Sequence, residues 1–335
     1  MTHPIQLKAN ESFFGNFETD FITLGERMKL YESKHQHEIA PNESFLIRLD
    51  GKCFSKFTKG FRKPFDCIFQ SVMIKVMNEM VKEFCATTGY THSDEITLIF
   101  PAVCTAEEFE KNLNKSAHLF DGRVNKLISV TASYCSVRFN ANMRALMSIE
   151  SNKDLFDEKF IEKLTSDTAI FDSRLVSFPV GSPEEIVNHM IWRSNRDCFR
   201  NAVSSYAREY FTNTELNNKT CTEMIKMMQE EKSFDFYNDA PMMYQHGVYA
   251  KRELINKVVM YNSQEKIVSR QQITNKSFII KFTQEFYKLM VDKNWTDIVK
   301  QCDEKENNTI LTKTFKTEFY NVHLKEDGQI DILKC

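Results

Sequence analysis

The chain reads as an α+β fold in which an antiparallel sheet carries helices on one face. Three features of its 335 residues lead there. Strand-like apolar runs occupy 45–50 and 90–100. Between them, apolar residues recur at 68, 69, 72, 73, 76, 77, 80, 81 and 84, the 3.6-residue stripe of an amphipathic helix. A helical stretch from Arg123 to about Leu146 and a strand from Phe171 to Pro179 then repeat the alternation. The order strand-helix-strand-strand-helix-strand is the ferredoxin-like split pattern.

Each element has local grounds. Phe21 to Ser33 can form a helix, and 35–44 is a polar connector containing Pro41-Asn42. After the first strand, Asp66 is placed to cap the striped helix, and Pro64 keeps the helix from starting earlier. The run 90–100 is too polar at its centre for one buried strand, so His92-Ser93-Asp94-Glu95 reads as a turn between two short ones. A short helix is expected over Ala106–Lys115. Pro183, with Glu184 and Glu185 in the first turn, opens a long helix through Trp192-Arg193 to Phe211, and another covers Cys221–Glu230. In the tail, Phe278, Phe282, Phe286 and Leu289 suggest one face of a helix, and Asp327-Gly328 marks a hairpin. The expected organisation is a catalytic domain over 21–180, a mostly helical region over 181–252, and a tail with helix and hairpin over 253–335.

Composition narrows the class. Charged residues at 27% and hydrophobic ones at 42% predict a packed core. A formal charge of -2 gives no global sign of a nucleic-acid partner, so any basic surface must be local. The nine Cys are scattered without a C-x-x-C pair, as expected of reduced thiols. No apolar run approaches the ~20 residues of a membrane span, and Met1–Asp20 lacks the build of a secretory signal. A cytoplasmic location is expected, with the mitochondrion left open.

Asp50 and Asp94 carry the chemistry. Each lies at the end or bend of an apolar strand, where a carboxylate is costly without a positive neighbour. Either dipeptide alone, Asp50-Gly51 or Asp94-Glu95, reads as an ordinary turn. Brought together by one strand-helix-strand unit, they suit divalent metal and phosphate chemistry. Mg²⁺ takes hard oxygen ligands, and the carbonyl of Gly51 would complete the set. Cations for a triphosphate are at hand: Arg48 on the same strand face as Asp50, and Lys52, Lys56, Lys59, Arg62 and Lys63 in the following loop. Arg123, Lys126 and Ser129 recur every third residue and would share a helix face. Arg174, Arg193 and Asn201 read equally as contacts to an RNA end or as buried ties between helix and sheet.

Arg48-Leu49-Asp50-Gly51, Phe61-Arg62-Lys63-Pro64-Phe65-Asp66, Ser93-Asp94-Glu95, Phe171-Asp172-Ser173-Arg174-Leu175-Val176 and Trp192-Arg193 form an ordered series. It resembles the signature of the tRNA-histidine guanylyltransferase family, reverse-direction (3′-to-5′) nucleotide-adding enzymes with a polymerase-type palm. The resemblance spans roughly Phe21 to Arg252. It implies Asp50, the carbonyl of Gly51 and Asp94 as ligands of two Mg²⁺ ions. It implies nucleotide contact by Asp50, Gly51, Lys52, Cys53, Phe54, Ser55, Ser93 and Asp94. Lys63 matches a lysine tied to 5′-end activation, and Arg123, Lys126 and Ser129 resemble triphosphate-gripping positions. ATP, GTP and other nucleoside triphosphates are the implied substrates, tRNA the implied partner, and a homo-oligomer, a tetramer, the implied assembly.

One stretch departs from the pattern. Where histidine-tRNA enzymes carry His-Ile-Asn-Asn-Leu-Tyr-Asn, this chain reads Phe199-Arg200-Asn201-Ala202-Val203-Ser204, with one residue inserted before Asp197. Ser55 also stands where many relatives have a histidine. The departure points to the "like protein" branch, which repairs or edits truncated tRNA 5′ ends. The competing readings are guanylate addition to histidine tRNA, a palm-type nucleotide cyclase, and a non-catalytic tRNA-binding module.

Overall fold

A computed structural model of the chain describes residues 23–113, 115–261, 264–295 and 317–334. One antiparallel sheet of eight strands organises them, in the order β4-β1-β3-β2-β5-β6-β7-β8. The strands are β1 Phe45–Gly51, β2 Thr88–His92, β3 Glu95–Phe100, β4 Phe171–Ser177, β5 Val248–Tyr261, β6 Gln264–Phe278, β7 Phe319–Leu324 and β8 Ile330–Lys334. The first four, in the order 4-1-3-2, reproduce the expected split pattern.

The helix Cys67–Glu83 follows from its stripe: Ile68, Val72, Met73, Val76, Met77, Met80 and Val81 are fully buried. Asp66 caps it as expected, its carboxylate accepting from the amides of Ile68 at 2.8 Å and Phe69 at 3.2 Å. With the helix Val124–Met147 it covers the face of the sheet that presents Ile47, Leu49, Ile96 and Leu98. Gly89 of β2 permits the close approach, because a Cβ there would lie 2.6 Å from a Val81 methyl and 2.8 Å from Met77. Gly89→Ala is expected to cost about 1–3 kcal/mol through this overpacking, read as a lower urea midpoint with an unchanged slope.

Several details depart from the sequence reading. Helices cover both faces rather than one, since Leu46, Tyr90, Ile99 and Tyr249 pack against Ile186, Met190, Phe286 and Leu289 on the far side. From Val248 on, the strands β5–β8 extend the sheet, where the sequence reading expected the end of a mostly helical region and a tail with a helix and a hairpin. Phe278, Phe282, Phe286 and Leu289 do not share a helix: Phe278 closes β6, Phe282 is exposed, and the helix is only Gln284–Val291. The short helix ends at Glu110 rather than Lys115, and a capped helix at Glu158–Thr165 adds to the first core. The hairpin at Asp327-Gly328 is present, joining β7 to β8. Among the described residues no helix is long and apolar enough to cross a membrane.

Candidate active site

Sheet register assembles the acids. Asp50, next to last in β1, stands opposite Glu95 of β3 on one side and Asp172 of β4 on the other. The amide of Gly51 donates to the carbonyl of Asp94 at 3.1 Å, so the β2–β3 turn is tied to the end of β1. Ser93 takes the left-handed conformation (φ 49°) in that turn, and its hydroxyl donates to the Asp94 carboxylate at 3.0 Å. Two residues 44 positions apart are thereby neighbours, as the strand-helix-strand reading expects (94 minus 50).

Arginines satisfy most of this charge, but not all. Arg174 reaches Asp50 at 3.5 Å and Asp172 at 3.3 Å. Glu95 pairs with Arg193 and lies 4.0 Å from Arg48. Asp94 has no ion pair with any described residue; its recorded side-chain partner is Ser93. Burial lifts its proton affinity to about 6, and the charges of Asp50 and Glu95 add to the rise. Asp50 is raised too, first by burial and then by Glu95 and Asp172. Adjacent carboxylates with an unmet demand for positive charge, close to the Gly51 backbone, fit a hard divalent cation such as Mg²⁺.

A second acidic group, His92, Glu95 and Asp197, has ligand atoms within 4.8 Å of one another. It is already occupied: the guanidinium of Arg193 bridges Glu95 and Asp197, the latter at 2.7 Å. Burial and Arg193 hold His92 neutral, its proton affinity lowered to about 3. The cluster is a buried salt-bridge centre behind the acids.

In front of the acids lies a cleft of about 280 Å³ lined by Ser55, Arg62, Lys63, Asp66, Gln70, Ser93 and Asp94. Cations and carboxylates thus line one cleft, an arrangement suited to a polyphosphate. Ser55, Lys63, Ser93 and Asp94 meet there as expected from the sequence. Lys52 and Cys53 are exposed beside it. Phe54 is buried in an aromatic group with Phe57, Phe139 and Phe171 and forms part of the cleft wall. The missing side chain of Gly51 makes room for that ring, since a Cβ would lie 2.4 Å from it.

Other expected residues lie elsewhere. Arg123, Lys126 and Ser129 sit at the far end of the helix Val124–Met147. Arg123 bridges to Glu38 near the start of β1, whereas Ser136 accepts from the amide of Phe171, opposite Gly51. Along the helix axis Arg123 lies about 20 Å, Lys126 about 15 Å and Ser129 about 10 Å from Ser136, and none of the three lines the cleft of Asp94. Arg193 is almost wholly buried and takes the structural alternative. Arg174 belongs to the acid row, and Asn201 is exposed at the rim of a small hollow shared with Ser93 and Phe65. Sequence reasoning missed Asp172, whose signal was its place one residue into a strand that pairs with β1.

The stretch before Asp197, where the resemblance implies an inserted residue, is irregular helix. Trp192–Cys198 forms a π-helical turn between the helices Glu185–Ile191 and Phe199–Tyr210. Such turns absorb a single extra residue without breaking the helix.

Comparison with known proteins fits this arrangement. A family model described as Thg1, tRNAHis guanylyltransferase, matches residues 25–179, which contain β1–β4 and the acid row. An uncharacterised protein of Acanthamoeba polyphaga mimivirus is 39% identical over 240 residues, covering 72% of this chain and 80% of that protein. The tRNA(His) guanylyltransferase of Debaryomyces hansenii is 30% identical over 180 residues, covering 52% of this chain and 57% of that protein. A solved bacterial tRNA(His) guanylyltransferase (Thg1)-like protein in complex with ATP superimposes with a TM-score of 0.56 at 25% identity, covering 73% of this chain and 92% of that one. Sheet, acid row and matches together define a nucleotidyltransferase. The chain belongs to the tRNAHis guanylyltransferase family.

Proposed function

We propose that the protein adds nucleotides to the 5′ end of truncated tRNA in the 3′-to-5′ direction, guided by a template base. The observation that carries the reading is the pairing of Asp50 with Asp94 across the Gly51 bond, Asp94 unmatched by any described cation, beside a cleft walled by Arg62 and Lys63. Asp50 and Asp94 would hold two Mg²⁺ ions, with the Gly51 carbonyl as a further ligand. The chemistry those ions supply when bound is to acidify the attacking hydroxyl and offset charge on the leaving phosphates.

The 3′-hydroxyl of a nucleoside triphosphate attacks the 5′ phosphorus of the tRNA. A new phosphodiester bond forms, and the bond to AMP or pyrophosphate breaks, according to whether ATP activated a monophosphate or a 5′-triphosphate was present. Arg62 and Lys63 hold phosphates against the acid row, and Ser93 keeps the Asp94 carboxylate oriented through its hydroxyl. No protein nucleophile is required; positioning and charge stabilisation supply the rate.

Phe199 favours repair over histidine-tRNA maturation. Its ring packs among Phe236, Tyr237 and His246 and brings no hydrogen-bonding group where the histidine-tRNA enzymes carry a histidine. The test is 5′ extension of tRNAs lacking one, two or three nucleotides, with all four triphosphates supplied. Incorporation that follows the opposing base supports the proposal. Addition of G regardless of template returns the reading to histidine-tRNA maturation, and a cyclic product from GTP without RNA would indicate a cyclase.

A further inference from the structure

The chain has two tryptophans, and the fold treats them in opposite ways. Trp295 is 1% exposed. Trp192 is 50% exposed, although it opens the π-helical turn Trp192–Cys198 whose Arg193 bridges to the acid row. A lone exposed apolar residue is common on protein surfaces and signifies nothing by itself. Its place in the fold is what distinguishes this one.

Alternation along β1 sets Leu46, Arg48 and Asp50 on one face of the sheet, where Leu46 packs with Ile186 and Met190 of the helix Glu185–Ile191. Glu95 and Asp172, opposite Asp50 in register, present the same face. Trp192 continues that helix directly, so it lies on the same side of the sheet as these acids. Arg193 links them: its guanidinium carbon is 5.1 Å from the centre of the Trp192 ring, and the same guanidinium is bridged to Glu95. One buried cation thus separates the indole from the carboxylate beside Asp50. The turn is pinned at successive residues. Arg193 holds Glu95 and Asp197, the Ser194 hydroxyl donates to the His246 carbonyl at 2.8 Å, and the Asn195 carboxamide donates to the Ile280 carbonyl at 2.7 Å. His189 meets the ring edge-on, 5.5 Å between centroids. The ring is held in place while half of it stays open. Arg196, four residues on, is exposed and has no ion pair with any described residue, and Arg174 beside Asp50 is 55% exposed.

A fixed, half-open indole with a guanidinium on one side and cations nearby is built to take a nucleobase, since every base offers a π face and its backbone offers phosphates. We propose that Trp192 stacks on the terminal base at the RNA 5′ end and so sets the 5′ phosphate against the acid row, with Arg196 on the RNA backbone. This rests on the 5′-end addition proposed above and names the residue that receives the RNA. The cleft of Arg62 and Lys63 adjoins the start of the helix Cys67–Glu83, which covers the opposite face, so triphosphate and RNA reach the acids from different sides.

Indole fluorescence of the full chain tests this, because Trp295 is a buried background and Trp192→Phe removes the reporting ring. The protein is titrated, in Mg²⁺ without triphosphate, with a hairpin RNA of acceptor-stem form lacking its 5′-terminal nucleotide. The same hairpin with an abasic 5′ residue and GTP alone are separate arms. The intact hairpin is expected to quench Trp192, and the abasic one to bind about tenfold or more weakly without quenching. In 5′-extension assays Trp192→Ala should raise KM for the hairpin about tenfold or more while KM for the triphosphate stays unchanged, and Trp192→Phe should largely restore it. A ring that only braces Arg193 predicts instead a lower melting temperature in Trp192→Ala and no difference between the intact and abasic hairpins. The proposal is overturned by absence of quenching at any hairpin concentration, by equal quenching with the abasic hairpin, by quenching with GTP alone, or by an unchanged hairpin KM in Trp192→Ala. Extension without quenching removes the platform and leaves 5′ addition standing; quenching without extension does the reverse. Should Trp192→Ala fail to fold, the abasic arm still decides the question.

Discussion

Asp94→Asn is expected to abolish nucleotide addition, by about a thousandfold or more, while making the metal-free protein more stable at neutral pH. The two effects share one cause. Asp94 is held at a proton affinity of about 6 by burial, with Asp50 and Glu95 adding repulsion, so its charge at pH 7 is a strain on the folded state. A carboxylate raised in the fold contributes stability that is complete below its unfolded value of 3.8 and is lost as pH rises through about 6. Relative to Asp94→Asn, the wild type should therefore lose up to about 3 kcal/mol between pH 4 and pH 7. The difference between the two proteins is the quantity to measure, because His92, His189 and His246 act with the opposite sign. Burial lowers them to about 3, 4 and 4, and they withdraw stability as the solution is acidified. Chemical denaturation in EDTA across that range gives the difference directly. Adding Mg²⁺ should stabilise the wild type and leave Asp94→Asn unmoved. An asparagine variant that is no more stable at pH 7.5, or one that still extends tRNA, would remove Asp94 from the metal role.

The second large effect belongs to Arg193. Its guanidinium, 4% exposed, neutralises Glu95 and Asp197, which are themselves 18% and 15% exposed. Arg193→Met would leave two nearly buried carboxylates facing each other, at a cost of about 3–5 kcal/mol. Asp197 keeps a hydrogen-bonded ion pair with Arg200 at 2.5 Å, so Glu95 carries most of the loss. Combining Arg193→Met with Glu95→Gln should recover part of the stability, a coupling that urea unfolding of the two single variants and the double variant would measure. Strict additivity would show that the bridge is not the source of the effect.

Some of this was legible in the residues and some was not. The Asp66 cap, the striped helix and the pairing of Asp50 with Asp94 follow from local chemistry and short-range topology, and the structure contains all three. The position of Arg123, Lys126 and Ser129 did not follow. Spacing of three places residues on one helix face, but it carries no information about which end of the sheet the helix starts from. The strands β5 and β6 were missed for a related reason: Lys251, Arg252, Lys257, Lys266 and Arg270 interrupt the period-two pattern, and the pairing is settled by neighbours that no local window contains. Arg193 was read two ways, and burial selects one of them.

The bond from the Gly51 amide to the Asp94 carbonyl has an implication for how the protein can change over time. The separation of the two acids is written in main-chain register, so no individual side chain is needed to maintain it. Substitutions in the exposed residues around the cleft, such as Ser55, Arg62 and Lys63, are then free to alter what is accepted there. The reactive geometry stays put while recognition drifts, and new substrates become reachable through single, tolerated steps.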